Sequence, residues 1–202
     1  HWYARNLSNF TDRYQKNILG AFRKLQDAGY VEIATSAATH GYLPLLARDS
    51  SIYGQITTGV ETYQKHFGRE PKAIWLPECA YRPAYHDETT TPAVDRPGIE
   101  SFLAPKGLEV FFSETHTVEG GNPVGKAAGE AIGLYGTITR RYKVEITPET
   151  QTEPGTTFHP YWVGDAPGQV AVLGRNDRTG QQVWSGTYGY PGDFVYREFH
   201  RK

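Results

Sequence analysis

Apolar residues recur at spacings of three and four over residues 5–28: Phe10, Tyr14, Ile18, Leu19, Phe22 and Leu25. That period predicts one amphipathic helix, with Gly29 just past its end as a C-terminal cap. The pattern then shortens. Val31-Glu32-Ile33-Ala34-Thr35 predicts a strand, and it runs into a polar loop centred on His40. Asp49, Ser50 and Ser51 are N-cap candidates for a second helix. Its stripe is Ile52, Ile56, Val60, Tyr63 and Phe67, and Gly68 ends it. Ala73-Ile74-Trp75-Leu76 predicts a second, buried strand. It stops at Pro77, which has no N–H to give a ladder. Residues 99–106 predict a short helix, and Glu109-Val110-Phe111-Phe112-Ser113 a third strand ending in the polar Glu114-Thr115-His116. Val170-Ala171-Val172-Leu173 predicts a fourth strand, followed by Arg175 and Asn176.

Helix, strand and polar strand end thus alternate along the chain, and the crossovers are long enough for parallel pairing. The pattern predicts an α/β fold, either a barrel or a doubly wound sheet. Such folds place their chemistry at the C-terminal ends of the strands. That rule singles out His40, Glu78, Glu114 and His116. Two stretches break the alternation. Residues 86–96 are polar and rich in Thr and Pro and predict a loop. Residues 117–167 carry repeated glycines and prolines and predict a long excursion over the sheet's mouth, with short strands at Tyr142-Lys143-Val144-Glu145-Ile146 and Tyr161-Trp162-Val163. A turn is expected at Asp177-Arg178-Thr179-Gly180, leading to Gln182-Val183-Trp184-Ser185.

Composition narrows the function. The chain has 202 residues, enough for one domain, and a net charge of −1. There is no basic run, so nucleic acid and anionic membrane find no support as partners. No apolar run approaches the ~18–20 residues that span a bilayer. The single cysteine, Cys79, excludes an internal disulfide and fits a reducing, cytoplasmic setting. The absence of methionine and the charged run at the end give the expectation of a piece of a longer protein. Aromatic residues are numerous, with 14 Tyr, 9 Phe and 4 Trp, and their flat faces suit sugar rings as well as a core.

Three segments carry a more specific signal: Glu32-Ile33-Ala34-Thr35-Ser36-Ala37-Ala38-Thr39-His40-Gly41-Tyr42-Leu43-Pro44-Leu45-Leu46, then Ile74-Trp75-Leu76-Pro77-Glu78-Cys79-Ala80-Tyr81, then Val183-Trp184-Ser185 with Gly189-Tyr190-Pro191-Gly192. In this order they resemble glycoside hydrolase family 57, and within it the 1,4-α-glucan branching enzymes most. The resemblance implies an incomplete (β/α)7 barrel, with residues 1–202 as the central part of the catalytic barrel. The N- and C-terminal parts would lie outside this chain. It implies a retaining mechanism on an α-1,4-glucan, with transfer to a 6-hydroxyl that makes an α-1,6 branch. Glu78 falls at the nucleophile position. His40, His116, Arg175, Trp184, Trp75 and Tyr81 fall at or near substrate-contacting positions, and Tyr135 is an aromatic expected near the tip of a mobile loop.

No cofactor and no metal is implied. The chain lacks the Asp-Asp pair and His-x-x-x-His spacing that a metal-dependent deacetylase on a similar barrel would carry. The family's acid/base aspartate falls beyond residue 202. A general acid is worth about 10²–10⁴-fold, so this piece alone is expected to be inactive. Glu114 stands where relatives often carry aspartate. The resemblance leaves an α-amylase, a 4-α-glucanotransferase and a non-catalytic carbohydrate-binding remnant as alternatives, and it does not give the oligomeric state.

Overall fold

The computed structural model describes residues 1–119, 130–133, 136–139, 155–165, 168–184 and 189. Its N-terminal helical stretch is broken. Helix α1 (Trp2–Ser8) continues through a turn of π-helix (Asn9–Arg13), and α2 (Ile18–Asp27) starts afresh. Between them Gln15 and Lys16 sit at φ 48° and 60°. Two successive left-handed residues cannot continue a right-handed helix, so the single helix expected over residues 5–28 is corrected to two. Asn17 caps the second by accepting the Gly20 N–H at 2.8 Å. Gly29 takes the left-handed conformation expected of it, at φ 77°. The apolar stripe is present on α2, but Ile18, Leu19, Phe22 and Leu25 all face outward.

The remaining elements follow in order: β1 (Thr35–Ser36), α3 (Asp49–Phe67), β2 (Ala73–Trp75), β3 (Tyr85–Asp87), β4 (Val94–Arg96), α4 (Glu100–Leu103), β5 (Val110–Ser113), α5 (Thr115–Glu119), β6 (Glu130–Gly133), β7 (Gly136–Thr139), β8 (Tyr161–Val163), β9 (Val170–Gly174) and α6 (Asp177–Trp184). One sheet runs in the order β1-β2-β5-β9-β8. Its first four strands are parallel, and β8 adds antiparallel to β9. The α/β class and all four expected parallel strands hold, although β1 is shorter than its apolar run. The backbone before β1 is fixed by a side chain instead of a ladder: Gln26 accepts the Ile33 N–H at 2.9 Å and the Tyr63 hydroxyl at 2.8 Å.

Alternation along the strands separates two faces. Thr35, Ile74, Phe111 and Val172 lie side by side in register and are buried. They pack with Ile52, Ile56 and Val60 of α3 and Leu103 of α4. Burying each such aliphatic side chain stabilises the fold by about 1.5–3 kcal/mol. The next row, Ser36, Trp75, Phe112 and Leu173, belongs to the opposite face and is only half-buried. Helix α3 sits tight on β1. Thr35 donates its hydroxyl to the Gly59 carbonyl at 3.0 Å, and a Cβ on Gly59 would stand 2.0 Å from the Ser36 carbonyl oxygen.

Three local expectations are corrected. Residues 86–96 form part of the β3–β4 hairpin, held by His86–Asp95 at 2.7 Å and by Arg96 donating to Asp87 at 3.3 Å. Asp49 opens α3 without capping it; its carboxylate instead faces Arg82 at 3.7 Å and Arg96 at 3.4 Å. The turn expected at 177–180 is the first turn of α6. Asn176 supplies its cap, accepting the Thr179 N–H at 3.1 Å. The strand expected at 142–146 lies outside the described residues.

Candidate active site

Pro77 ends the β2 ladder, and the chain turns at once. The Cys79 N–H returns to the Leu76 carbonyl at 2.8 Å, and the Ala80 N–H to the Pro77 carbonyl at 3.2 Å. Glu78 and Cys79 occupy the left-handed region in succession, at φ 57° and 51°. Neither is glycine, and each such residue costs of order 1–3 kcal/mol unless its surroundings enforce it. Leu76, Pro77 and Cys79 are buried on the protein side of the turn. Glu78 alone is turned outward, with its side chain 69% exposed.

The loop after β1 brings His40 to the same place. His40 is also left-handed, at φ 56°, and its Nε2 lies 3.1 Å from Glu78 Oε1. A carboxylate oxygen accepts, so Nε2 donates to it and orients the carboxylate. Gln55 of α3 holds this loop. Its side-chain carbonyl accepts the Thr39 N–H at 3.0 Å, its amide donates to Thr39 Oγ1 at 2.7 Å, and its backbone carbonyl accepts the Ala38 N–H at 3.0 Å. Sequence reasoning missed Gln55. The only signal was a glutamine beside the apolar stripe of a helix leading away from the loop.

Next along the sheet, β5 and β9 end in an ion pair, with Arg175 Nη1 donating to Glu114 Oε1 at 2.6 Å. The backbone locks the pair: the Arg175 N–H reaches the Ser113 carbonyl at 2.8 Å, and Thr115 Oγ1 donates to the Arg175 carbonyl at 2.5 Å. The guanidinium also faces the Cys79 thiol. Burial pushes that thiol's pKa up, and Arg175 opposes the shift. Glu114, Thr115, Arg175 and Asn176 line an open pocket of about 280 Å³ beside the strand ends. Strand topology therefore brings His40 to Glu78 and joins Arg175 to Glu114.

The other candidates stand elsewhere. Tyr81 is turned into the helix layer, stacked on Phe111 at 5.2 Å and donating to Glu100 at 2.7 Å. Burial, with the Glu100 carboxylate beside it, raises its pKa. In this structure the Tyr81 ring and hydroxyl are thus both engaged within the protein. Trp75 lies within β2 on the half-buried face, 5.6 Å from the Phe112 ring. His116 is exposed in the first turn of α5 and does not line the pocket. Trp184 is the last residue of α6, and its side chain lies outside the described part of the structure; Tyr135 lies outside the described residues. Among the described residues no three His, Cys, Asp or Glu side chains are grouped as metal ligands, and no helix is long and apolar enough to cross a membrane.

Two of the three sequence segments thus meet at adjacent strand ends through His40 and Glu78, while the third lies mostly outside the described residues. The model for glycosyl hydrolase family 57 matches residues 1–201. The chain belongs to that family. It is 48% identical over 203 residues to the 1,4-alpha-glucan branching enzyme TK1436 of Thermococcus kodakarensis, covering 99% of this chain and 27% of that protein. The crystal structure of TK1436, in complex with glucose and additives, superposes with a TM-score of 0.73 over 99% of this chain and 33% of that one. The family 57 branching enzyme of Pyrococcus horikoshii gives a TM-score of 0.70 at 40% identity, covering 98% of this chain and 31% of that one. The alpha-amylase AmyC of Thermotoga maritima gives 0.63 at 30% identity, covering 98% and 30%. The chain thus spans about a quarter to a third of the relatives it matches. Its sheet is part of a (β/α)7 barrel of the family 57 type, which does not close among the described residues.

Proposed function

We propose that the chain is the central catalytic segment of a 1,4-α-glucan branching enzyme, with Glu78 as its nucleophile. The observation that carries this reading is the Glu78–His40 contact of 3.1 Å at neighbouring strand ends. The similarity to two family 57 branching enzymes, at 46% and 40% identity, gives it a chemistry. In the retaining reaction Glu78 attacks the anomeric carbon of an α-1,4-linked glucose and forms a glycosyl-enzyme. The bond to the leaving glucan oxygen breaks as a second carboxyl group, outside residues 1–202, protonates it. The 6-hydroxyl oxygen of another glucan then attacks the anomeric carbon, the ester bond to Glu78 breaks, and the hydroxyl proton returns to the second carboxylate. His40 Nε2 holds one carboxylate oxygen and leaves the other for attack. The exposure of both side chains fits a site completed by further chain and by sugar. We assign the full-length protein to α-glucan synthesis in the cytoplasm, consistent with one buried, unbridged cysteine.

A hydrolytic reading is favoured by one observation, the 30% identity to an alpha-amylase. Proton NMR of amylose incubated with the full-length protein separates the two. New α-1,6 anomeric signals without many new reducing ends are the expected result. Reducing ends without α-1,6 signals overturn the branching assignment in favour of hydrolysis.

A further inference from the structure

We propose that Ser113 is a positioning residue for Glu78, a role that rests on the nucleophile reading above. Ser113 closes β5 and is fully buried. On the β2 side the ladder's last pair is Trp75 with Phe112, because the chain leaves the sheet at Pro77. Ser113 is therefore paired only with Gly174 of β9, and its side chain takes over where backbone pairing stops. Its Oγ lies 3.2 Å from the Cys79 carbonyl oxygen and 2.9 Å from Thr117 Oγ1. A carbonyl only accepts and a hydroxyl has one proton. Ser113 consequently donates to Cys79, and Thr117 donates to Ser113.

The bonded carbonyl belongs to the second of the two left-handed residues, so this relay runs from α5 through β5 onto the strained turn. A turn at positive φ relaxes unless it is held, and freeing the Cys79 carbonyl lets the Cys79–Ala80 peptide rotate and loosens the left-handed backbone of Glu78 beside it. The carboxylate then leaves the position His40 defines. Displacing a reacting group by a fraction of its contact distance is enough to slow the chemical step while sugar contacts elsewhere survive. Ser113 has no exposed surface, so it cannot touch substrate and acts only through the turn. Cys79 itself is an unpromising place for another function, since its thiol is buried and its backbone is already committed to this bond.

The test uses the full-length protein with Ser113→Ala, Thr117→Val and Glu78→Gln. The readouts are kcat, KM on amylose, Tm, and the rate of glycosyl-enzyme formation from an activated fluorinated glucosyl donor followed by mass spectrometry. Ser113→Ala is expected to lower kcat and glycosyl-enzyme formation about tenfold with KM within about twofold. Thr117→Val, which leaves the Ser113 hydroxyl in place but frees it, is expected to lower kcat about twofold to threefold at unchanged Tm. A folded Ser113→Ala enzyme with the parent kcat overturns the proposal, and so does a loss that only tracks the unfolded fraction. If Ser113→Ala does not fold, Thr117→Val decides, and unchanged kcat there overturns it. Turnover by Glu78→Gln removes the nucleophile reading and this proposal with it. A dead Glu78→Gln beside a fully active Ser113→Ala removes the positioning role alone.

Discussion

The turn that carries Glu78 and the loop that carries His40 meet at 3.1 Å, yet they are held differently. Both hold a non-glycine residue in the left-handed region, near φ 57° and 56°. The Glu78 turn rests on buried apolar residues, Leu76 and Cys79, and on the fully buried Ser113 hydroxyl. The His40 loop rests on half-exposed amide bonds to Gln55 and on the close seat of Gly59 against Ser36. One side of the site is fixed from within the core and the other from the edge of the sheet. The difference teaches that two residues in contact need not share a fate when the protein is perturbed.

The largest effect should come from the core-fixed side. In the full-length protein, Glu78→Gln keeps the shape of the turn and removes the proposed nucleophile. Transfer activity on amylose is expected to fall by at least about 10³-fold with Tm unchanged. Residual glycosyl-enzyme at the parent rate would transfer the role to another carboxylate. Gly59→Ala attacks the edge-fixed side. Helix propensity gains about 1 kcal/mol, but the added Cβ meets backbone that cannot swing aside. A net destabilisation of about 1–3 kcal/mol in urea unfolding is expected. A stabilised variant would mean that β1 and α3 separate freely.

How far the chain was legible follows the same division. Helix α3, β2, β5 and β9 are readable because each buries its apolar residues where its period says they belong. The stripe of α2 is equally periodic, yet it faces outward, since a pattern specifies a face and not what covers it. The break at Gln15 and Lys16 has no apolar signature at all. The β3–β4 hairpin is held by polar pairs across it, which a reading tuned to apolar alternation takes for a loop. Glu78 and His40 are readable as polar residues that end apolar runs, and their contact follows from the strand order. What no apolar pattern reveals is the setting of Tyr81, whose ring stacks on Phe111 and whose hydroxyl donates to Glu100. Gln55 and Ser113 gain their roles only once the strands are side by side.

Two weaker experiments sharpen the contrast. Gln55→Ala removes two side-chain hydrogen bonds from the His40 loop, each worth about 0.5–1.5 kcal/mol. The Thr39 amide should lose protection from hydrogen exchange while amides of β2 keep theirs. Equal loss in both would mean that the two segments open together. The smallest effect belongs to the exposed β3–β4 hairpin. Hydrogen bonds from Thr89, together with Arg96, hold the Asp87 pKa below 3.8, so their support is present above that value and fades as pH falls through the lowered one. Asp95 holds the His86 pKa above 6.5, so its support is present below 6.5 and fades as pH rises through the raised value. Hairpin amides should therefore exchange most slowly in mildly acidic solution. A flat profile would leave both pairs without measurable weight.

Left-handed backbone at Glu78 and His40 also bears on how such a site persists over time. Glycine or asparagine would sit more comfortably at either position, by roughly 1–3 kcal/mol, and neither would do the chemistry assigned to them. Selection for heat resistance alone should therefore enrich substitutions at positions 40 and 78. The two residues would be the first casualties in a lineage that kept the barrel and no longer needed the sugar.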